Sequence, residues 1–243
     1  MNRKIALSGV IILASLMLGS VAGAGIGNTP FVVYLTEPAL HPAPQAFTYV
    51  GTSDDVGYFN MPVAPHYISY LQKSSGPITP ESTVTVTFSI PVTAVFSGNP
   101  DGGDSGNSFV RIFFKAQLPE GQNGGSISGL NEYTYWWSNP VAYDFGDTTS
   151  QTTSPNGGSE GVSVSSNLIT VTLTVTVDPA YWSDIYGHLG SLDSATEAGF
   201  SAALASATNI GLSFGSGSFF ANGVGVSSGP VELTLNSFSV TSP

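Results

Sequence analysis

The chain has 243 residues, no cysteine, and five basic residues against sixteen acidic ones, for a formal charge of −11. That balance argues against nucleic acid as a partner, because phosphate binding needs clustered Lys and Arg. With no disulfide available, the fold has to be held by burial and strand pairing.

The N-terminus carries Arg3 and Lys4, an uncharged run from Ile5 to Val21, and then Ala22-Gly23-Ala24. This is the order of charge, apolar stretch and small residues found in a secretory signal peptide, so residues 1–24 are expected to be removed and the protein secreted. No second apolar segment reaches membrane-spanning length, so no membrane contact is expected after cleavage. Residues 25–243 are expected to form a single domain, with three basic residues against sixteen acidic ones.

Phe31 to Thr36 reads as a first strand, and the Pro-rich stretch from Pro38 to Pro44 behind it as a semi-rigid hinge. Thr83 to Ile90 and Thr170 to Val177 alternate small polar with apolar residues, the period-two signature of strands with one buried face. Val231 to Leu235 repeats the pattern, but Phe238 and Val240 fall out of phase, which predicts a bulge near Asn236-Ser237. Gly, Asn, Ser and Pro cluster at 97–108, 119–130, 146–163 and 215–229, which read as loops. Pro179 to Tyr186 suggests a short helical turn with Tyr181 and Trp182 covering a core edge. Ser194-Ala195-Thr196-Glu197 reads as a capping box opening a helix near 194–207. These elements predict an all-β antiparallel two-sheet sandwich, jelly-roll-like, over about residues 30–241 with one short helix at one end.

The C-terminal third adds a resemblance. Trp182, Gly187, Phe200-Ser201-Ala202-Ala203-Leu204, Ile210 to Gly215 and Leu233 to Val240 together resemble secreted bacterial jelly-roll domains of the carbohydrate-binding-module type, common in exported proteins with a PEP-CTERM sorting tail. The resemblance implies a helix ahead of a buried strand, a final strand closing the sheet beside the first, and glycan binding without catalysis. The chain stops at Thr241-Ser242-Pro243, about where such a tail would begin, and Leu235 stands before Asn236 where many of these domains carry an acidic residue.

Two runs carry large side chains on both faces. In Phe109 to Leu118, Arg111 and Lys115 share a face with Phe109 and Phe113, opposite Val110, Ile112, Phe114 and Ala116. In Glu132 to Phe145, Tyr133, Tyr135 and Trp137 share one face and Trp136 takes the other, with this aromatic strand expected to be central. A pyranose has an apolar C–H side and polar edges, so an aromatic face beside a guanidinium suits stacking and hydroxyl hydrogen bonding. Arg111, Tyr135, Trp136 and Trp137 are the candidate glycan ligands. The competing reading has the same rings filling the core.

Asp101-Gly102-Gly103-Asp104-Ser105-Gly106-Asn107 places oxygen donors every third residue, and Asp101, Asp104 and Asn107 are candidate ligands for Ca²⁺. Gly103 to Gly106 also matches the stretch around a chymotrypsin-like nucleophile. Asn107 follows instead of Gly, and none of His41, His66 and His188 has the context of the base, so that reading is rejected. Glu132, Asp144, Asp147 and Glu160 lie on or near the aromatic strand, but no motif marks a glycosidase pair among them, and the chain is not expected to be an enzyme. The expected function is a non-catalytic extracellular glycan-binding module. The alternative is self-association into a filament or matrix, one subunit lending a strand to the next.

Overall fold

A computed structural model describes residues 31–36, 44–45, 48–49, 56–100, 108–119, 121, 125–127, 130–146, 153–154, 158–215 and 221–243. In chain order the early strands are β1 (Val32–Thr36), β2 (Pro44–Gln45), β3 (Thr48–Tyr49), β4 (Gly57–Met61), β5 (Tyr67–Ser74), β6 (Thr83–Pro91), β7 (Phe96–Gly98) and β8 (Phe109–Ala116). The short pair β9 (Ser126–Ile127) and β10 (Leu130–Asn131) leads into β11 (Tyr135–Asp144), and β12 (Thr153–Ser154), β13 (Gly158–Ser165), β14 (Leu168–Thr176) and β15 (Trp182–Ser183) follow. Helix α1 (Ser194–Ala205) precedes β16 (Ala207–Gly215), β17 (Val224–Val226) and β18 (Val231–Thr241).

The strands form two antiparallel sheets. A nine-stranded sheet runs β15-β11-β8-β16-β5-β1-β2, with β17 and β7 attached beside β5. A seven-stranded sheet runs β12-β13-β14-β6-β18-β4-β3. The fold is an all-β sandwich, and Val84, Val86 and Phe88 of β6 share one core with Val110, Ile112 and Phe114 of β8. The last strand lies between β6 and β4, whereas β1 belongs to the other sheet, so the expected placement of last beside first is not met. The N-terminal strand is also committed within its own sheet: β1 pairs with β5 over five residue pairs, with Phe31 and Val33 buried.

Period-two alternation explains the seven-stranded sheet directly. Val84, Val86, Phe88 and Ile90 of β6 and Ile169, Val171, Leu173 and Val175 of β14 are buried, while the intervening Thr and Ser residues face outward. In β18 the register against β6 shifts between Leu235 and Ser237, the bulge the phase change predicts. Phe238 thereby returns to the core, its ring 5.4 Å from that of Phe31, with the Lys73 ammonium 4.9 Å from the Phe238 ring centre.

The run expected to be loop at 146–163 ends in strand, since all eight residues of β13 pair with β14. Gly158 opens it because a Cβ there would enter the Val141 side chain and stand 3.0 Å from the Thr174 carbonyl oxygen. The aromatic strand β11 is not central. It is next to the edge, flanked by β8 and the two-residue β15.

Helix α1 closes one end of the sandwich, with Phe200, Ala203 and Leu204 buried. Its cap is Asp193 rather than Ser194: the Asp193 carboxylate accepts from the Ala195 and Thr196 amides, so the helix starts one residue earlier than the capping box implied. Phe200 packs 4.9 Å from Trp136 and 5.9 Å from Phe114, and Trp182 lies 5.1 Å from Phe114. Gly199 sits against the face of Tyr133, where a Cβ would penetrate the ring. Of the helical turn expected over Pro179 to Tyr186, only Pro179–Tyr181 forms one, a 3₁₀ turn capped by Asp178, and Trp182–Ser183 is strand. Among the described residues no helix is long and apolar enough to cross a membrane.

Candidate functional site

The outward face of the nine-stranded sheet carries its own ring cluster, separate from the main core. Phe113 and Trp137 are directly paired across β8 and β11, and they cluster with Ala221, Tyr70, Tyr135 and Ile185. The Tyr135 ring stacks 5.6 Å from Trp137 at 13° and 5.9 Å from Tyr70 at 21°, and Tyr70 tilts against Phe113 at 4.8 Å. Burial, and then the neighbouring Tyr135, push the Tyr70 phenol well above the usual tyrosine range.

Of the two cations of β8, Lys115 lies over one of these rings, and Arg111 lies over Phe109 on the same strand. Lys115 Nζ lies 5.2 Å from the centre of Tyr135, and Arg111 Cζ lies 5.0 Å from the centre of Phe109. Burial lowers Arg111 to about 10, because desolvation penalises its charge. The chain has only three basic residues beyond Lys4, and two of them, Arg111 and Lys115, lie on β8.

The four residues expected to bind glycan are therefore divided. Tyr135 and Trp137 come together on the outward face, while Arg111, on β8, lies against Phe109. Trp136 does not join them: it is fully buried in the core, stacked 5.8 Å from Tyr133, and its Nε1–H donates to the Tyr133 carbonyl at 3.1 Å. Tyr133 is also a correction, since it lies on the core side with Trp136 instead of sharing a face with Tyr135. The Asn131 side chain accepts the Tyr133 amide and caps a 3₁₀ turn over Glu132–Thr134, so strand alternation begins only at Tyr135. Trp137 is only 5% exposed and its Nε1–H donates to Ser213 Oγ at 3.0 Å, which leaves the half-buried Tyr135 as the accessible ring.

Further along β11 the register against β8 slips by three residues between Trp137 and Ala142. Ser138 fills the gap, its hydroxyl accepting the Ile112 amide at 3.1 Å and donating to the Val141 carbonyl at 2.7 Å. This side chain does the work of a missing ladder partner and holds Trp137 opposite Phe113.

Beside Tyr135 runs an open groove of about 480 Å³ whose walls include Lys115, Gln117, Asn131, Thr134, Thr208 and Asn209. Lys115 and Asn209 are paired across neighbouring strands, as are Lys115 and Tyr135, so one row of the sheet presents ring, ammonium and amide in sequence. Lys115 was legible as a face-mate of Arg111. Asn209 and Thr134 had no signal, since only strand pairing brings them there.

The predicted Ca²⁺ ligands Asp101, Asp104 and Asn107 lie outside the described residues. The acids near the aromatic strand do not converge as a pair: Glu132 precedes the ten-residue β11, Asp144 ends it, Glu160 sits in the other sheet, and Asp147 lies outside the described residues. Glu132 instead meets Asp184 and His188, with one donor atom from each lying within 4.8 Å of the others. Burial, followed by contact with Glu132, raises the Asp184 carboxyl above its ordinary range against the opposing pull of the His188 and Tyr186 amides. The chain matches no protein-family model, no curated protein and no solved structure.

Proposed function

We propose that the protein is a non-catalytic, extracellular glycan-binding module whose ligand lies across Tyr135 and along the groove beside it. The observation that carries this reading is the held ring. The Tyr135 ring is held nearly parallel to Trp137 and Tyr70, is only partly buried, and is paired across strands with Lys115, which lines a groove whose walls also carry hydroxyl and amide groups. A ring fixed before binding loses little entropy when a sugar stacks on it, and the polar wall supplies partners for the hydroxyl edges. Lys115 beside that ring favours sugars bearing carboxylate or sulfate groups, whose retention would weaken with salt.

Retention on insoluble polysaccharides and a glycan array test the reading. Tyr135→Ala should lower affinity at least tenfold, equivalent to about 1.4 kcal/mol. Lys115→Gln should cost more for acidic than for neutral sugars. Absence of retention on every sugar, or retention indifferent to Tyr135→Ala, would overturn the proposal.

A second reading, self-association, draws on the rim of the other sheet. Among the described residues β12 pairs only with Gly158 and Ser159 of β13, leaving Gly161 to Ser165 as an edge on which Val164 is 58% exposed. Strand addition there would give oligomers visible by light scattering. A strictly monomeric protein at all concentrations counts against it.

A further inference from the structure

We propose that Glu132, Asp184 and His188 form a binding site for a divalent first-row transition metal of the Zn²⁺ type, distinct from the glycan groove.

Each carboxylate is already oriented by backbone amides through one oxygen only. Glu132 Oε2 accepts the Gly125 amide at 2.7 Å, and Asp184 Oδ1 accepts the Tyr186 and His188 amides, both at 2.9 Å. The opposite oxygens converge on one imidazole nitrogen: His188 Nδ1 lies 3.5 Å from Glu132 Oε1 and 3.4 Å from Asp184 Oδ2. These separations are long for a charge-assisted hydrogen bond, which closes to about 2.7–2.9 Å. They match the edge of a tetrahedron whose centre lies about 2.0–2.1 Å from nitrogen and oxygen ligands, an edge of roughly 3.3 Å.

The independent sign of a missing ligand is Asp184 itself. Its side chain has no exposed surface, and its Oδ2 makes no hydrogen bond. A buried carboxylate oxygen aimed at a cluster and left unsatisfied is costly unless something else fills the gap. A dication would satisfy it and offset the two carboxylate charges at once.

The donor set selects the metal. One imidazole with two carboxylates suits Zn²⁺ and its neighbours, whereas Ca²⁺ and Mg²⁺ favour shells made only of oxygen. His188 is half exposed, so a fourth position opens to solvent. The amides on Glu132 and Asp184 already act as the outer shell that orients such ligands. Bound metal would clip the Asp184–His188 loop to the turn ahead of β11, joining positions 52 residues apart in sequence.

The test uses the full chain, stripped with chelator and titrated with Zn²⁺ by calorimetry, with Co²⁺ absorption reporting geometry and Ca²⁺ as the control cation. Expected are one Zn²⁺ per chain, a tetrahedral Co²⁺ spectrum, and Ca²⁺ binding too weak to compete. His188→Ala alters a half-exposed side chain and Glu132→Gln preserves shape. Each should weaken Zn²⁺ at least tenfold and abolish the Co²⁺ spectrum while leaving far-ultraviolet circular dichroism unchanged. No Zn²⁺ uptake by the parent chain, or equal affinity in the folded His188→Ala variant, would overturn the site, whatever the outcome of the glycan experiments.

Discussion

Thr85, Thr87 and Ser89 on one sheet and Tyr70, Phe113, Tyr135 and Trp137 on the other stand in equivalent places, on faces turned away from the shared core. On the seven-stranded sheet the hydroxyls pair across strands, Thr87 with Thr172 at 3.0 Å and Ser89 with Thr170 at 2.8 Å. On the nine-stranded sheet, rings stack over one another with the Lys115 ammonium over one of them. Small hydroxyl side chains are all a half-buried strand needs on its wet face. The aromatic face instead builds a second small buried cluster, with Phe113 and Trp137 buried beneath the partly buried Tyr70 and Tyr135.

The contrast is tested most severely from inside. Trp136→Ala, one residue from the outward Trp137, should destabilise by about 3–5 kcal/mol through loss of core contacts, measured by denaturant unfolding. If the loss were under about 1 kcal/mol, the separation of the two faces of β11 would fail. Gly199→Ala drives a methyl group into the Tyr133 ring and should cost roughly 1–3 kcal/mol in the same assay. Tyr135→Ala should invert the pattern: stability should fall by no more than about 1 kcal/mol while glycan retention collapses.

On the hydroxyl face the expected changes are smaller. Replacing Thr87 and Thr172 together by Val removes both partners of one bond and should leave stability within about 0.5 kcal/mol, because no buried group is left unpaired. A larger loss would mean the ladder of hydroxyls holds the sheet. The smallest effect concerns the helix cap. The Thr196 amide and hydroxyl, with the Ala195 amide, hold the Asp193 carboxyl below its ordinary range. Its contribution is therefore fully present above the ordinary aspartate pKa and is lost as pH falls through the depressed value. Asp193→Asn, which can still cap, should flatten that part of the acid limb of thermal stability followed by circular dichroism.

Legibility in the sequence followed the range of the interaction. The Thr/Val strands and the bulge at Asn236 were readable because alternation is local and a phase error shows within three residues. The faces of β11 were not, because both are apolar and the pattern cannot say which is core. Tyr133 was misplaced because the Asn131 cap turns the backbone just before the strand begins. The three-residue slip bridged by Ser138 gives no compositional sign. Strand order, the groove partner Asn209 and the meeting of Glu132 with Asp184 and His188 depend on pairings between distant segments, for which one sequence holds no periodic signal.

The bulge in β18 works like a shift of reading frame. Before it, odd-numbered residues are inward, with Val231, Leu233 and Leu235 buried; after it, the even-numbered Phe238 and Val240 turn to the core. Were Asn236 kept in a regular ladder with β6, without the bulge, Phe238 would be carried out to water, away from Phe31 and from the ammonium of Lys73. A chain lacking Asn236 would instead run unbroken with Phe238 still facing inward opposite Val86. The bulge, by taking one surplus residue out of the ladder, thus decides whether the last strand merely completes its own sheet or also fastens it to the other.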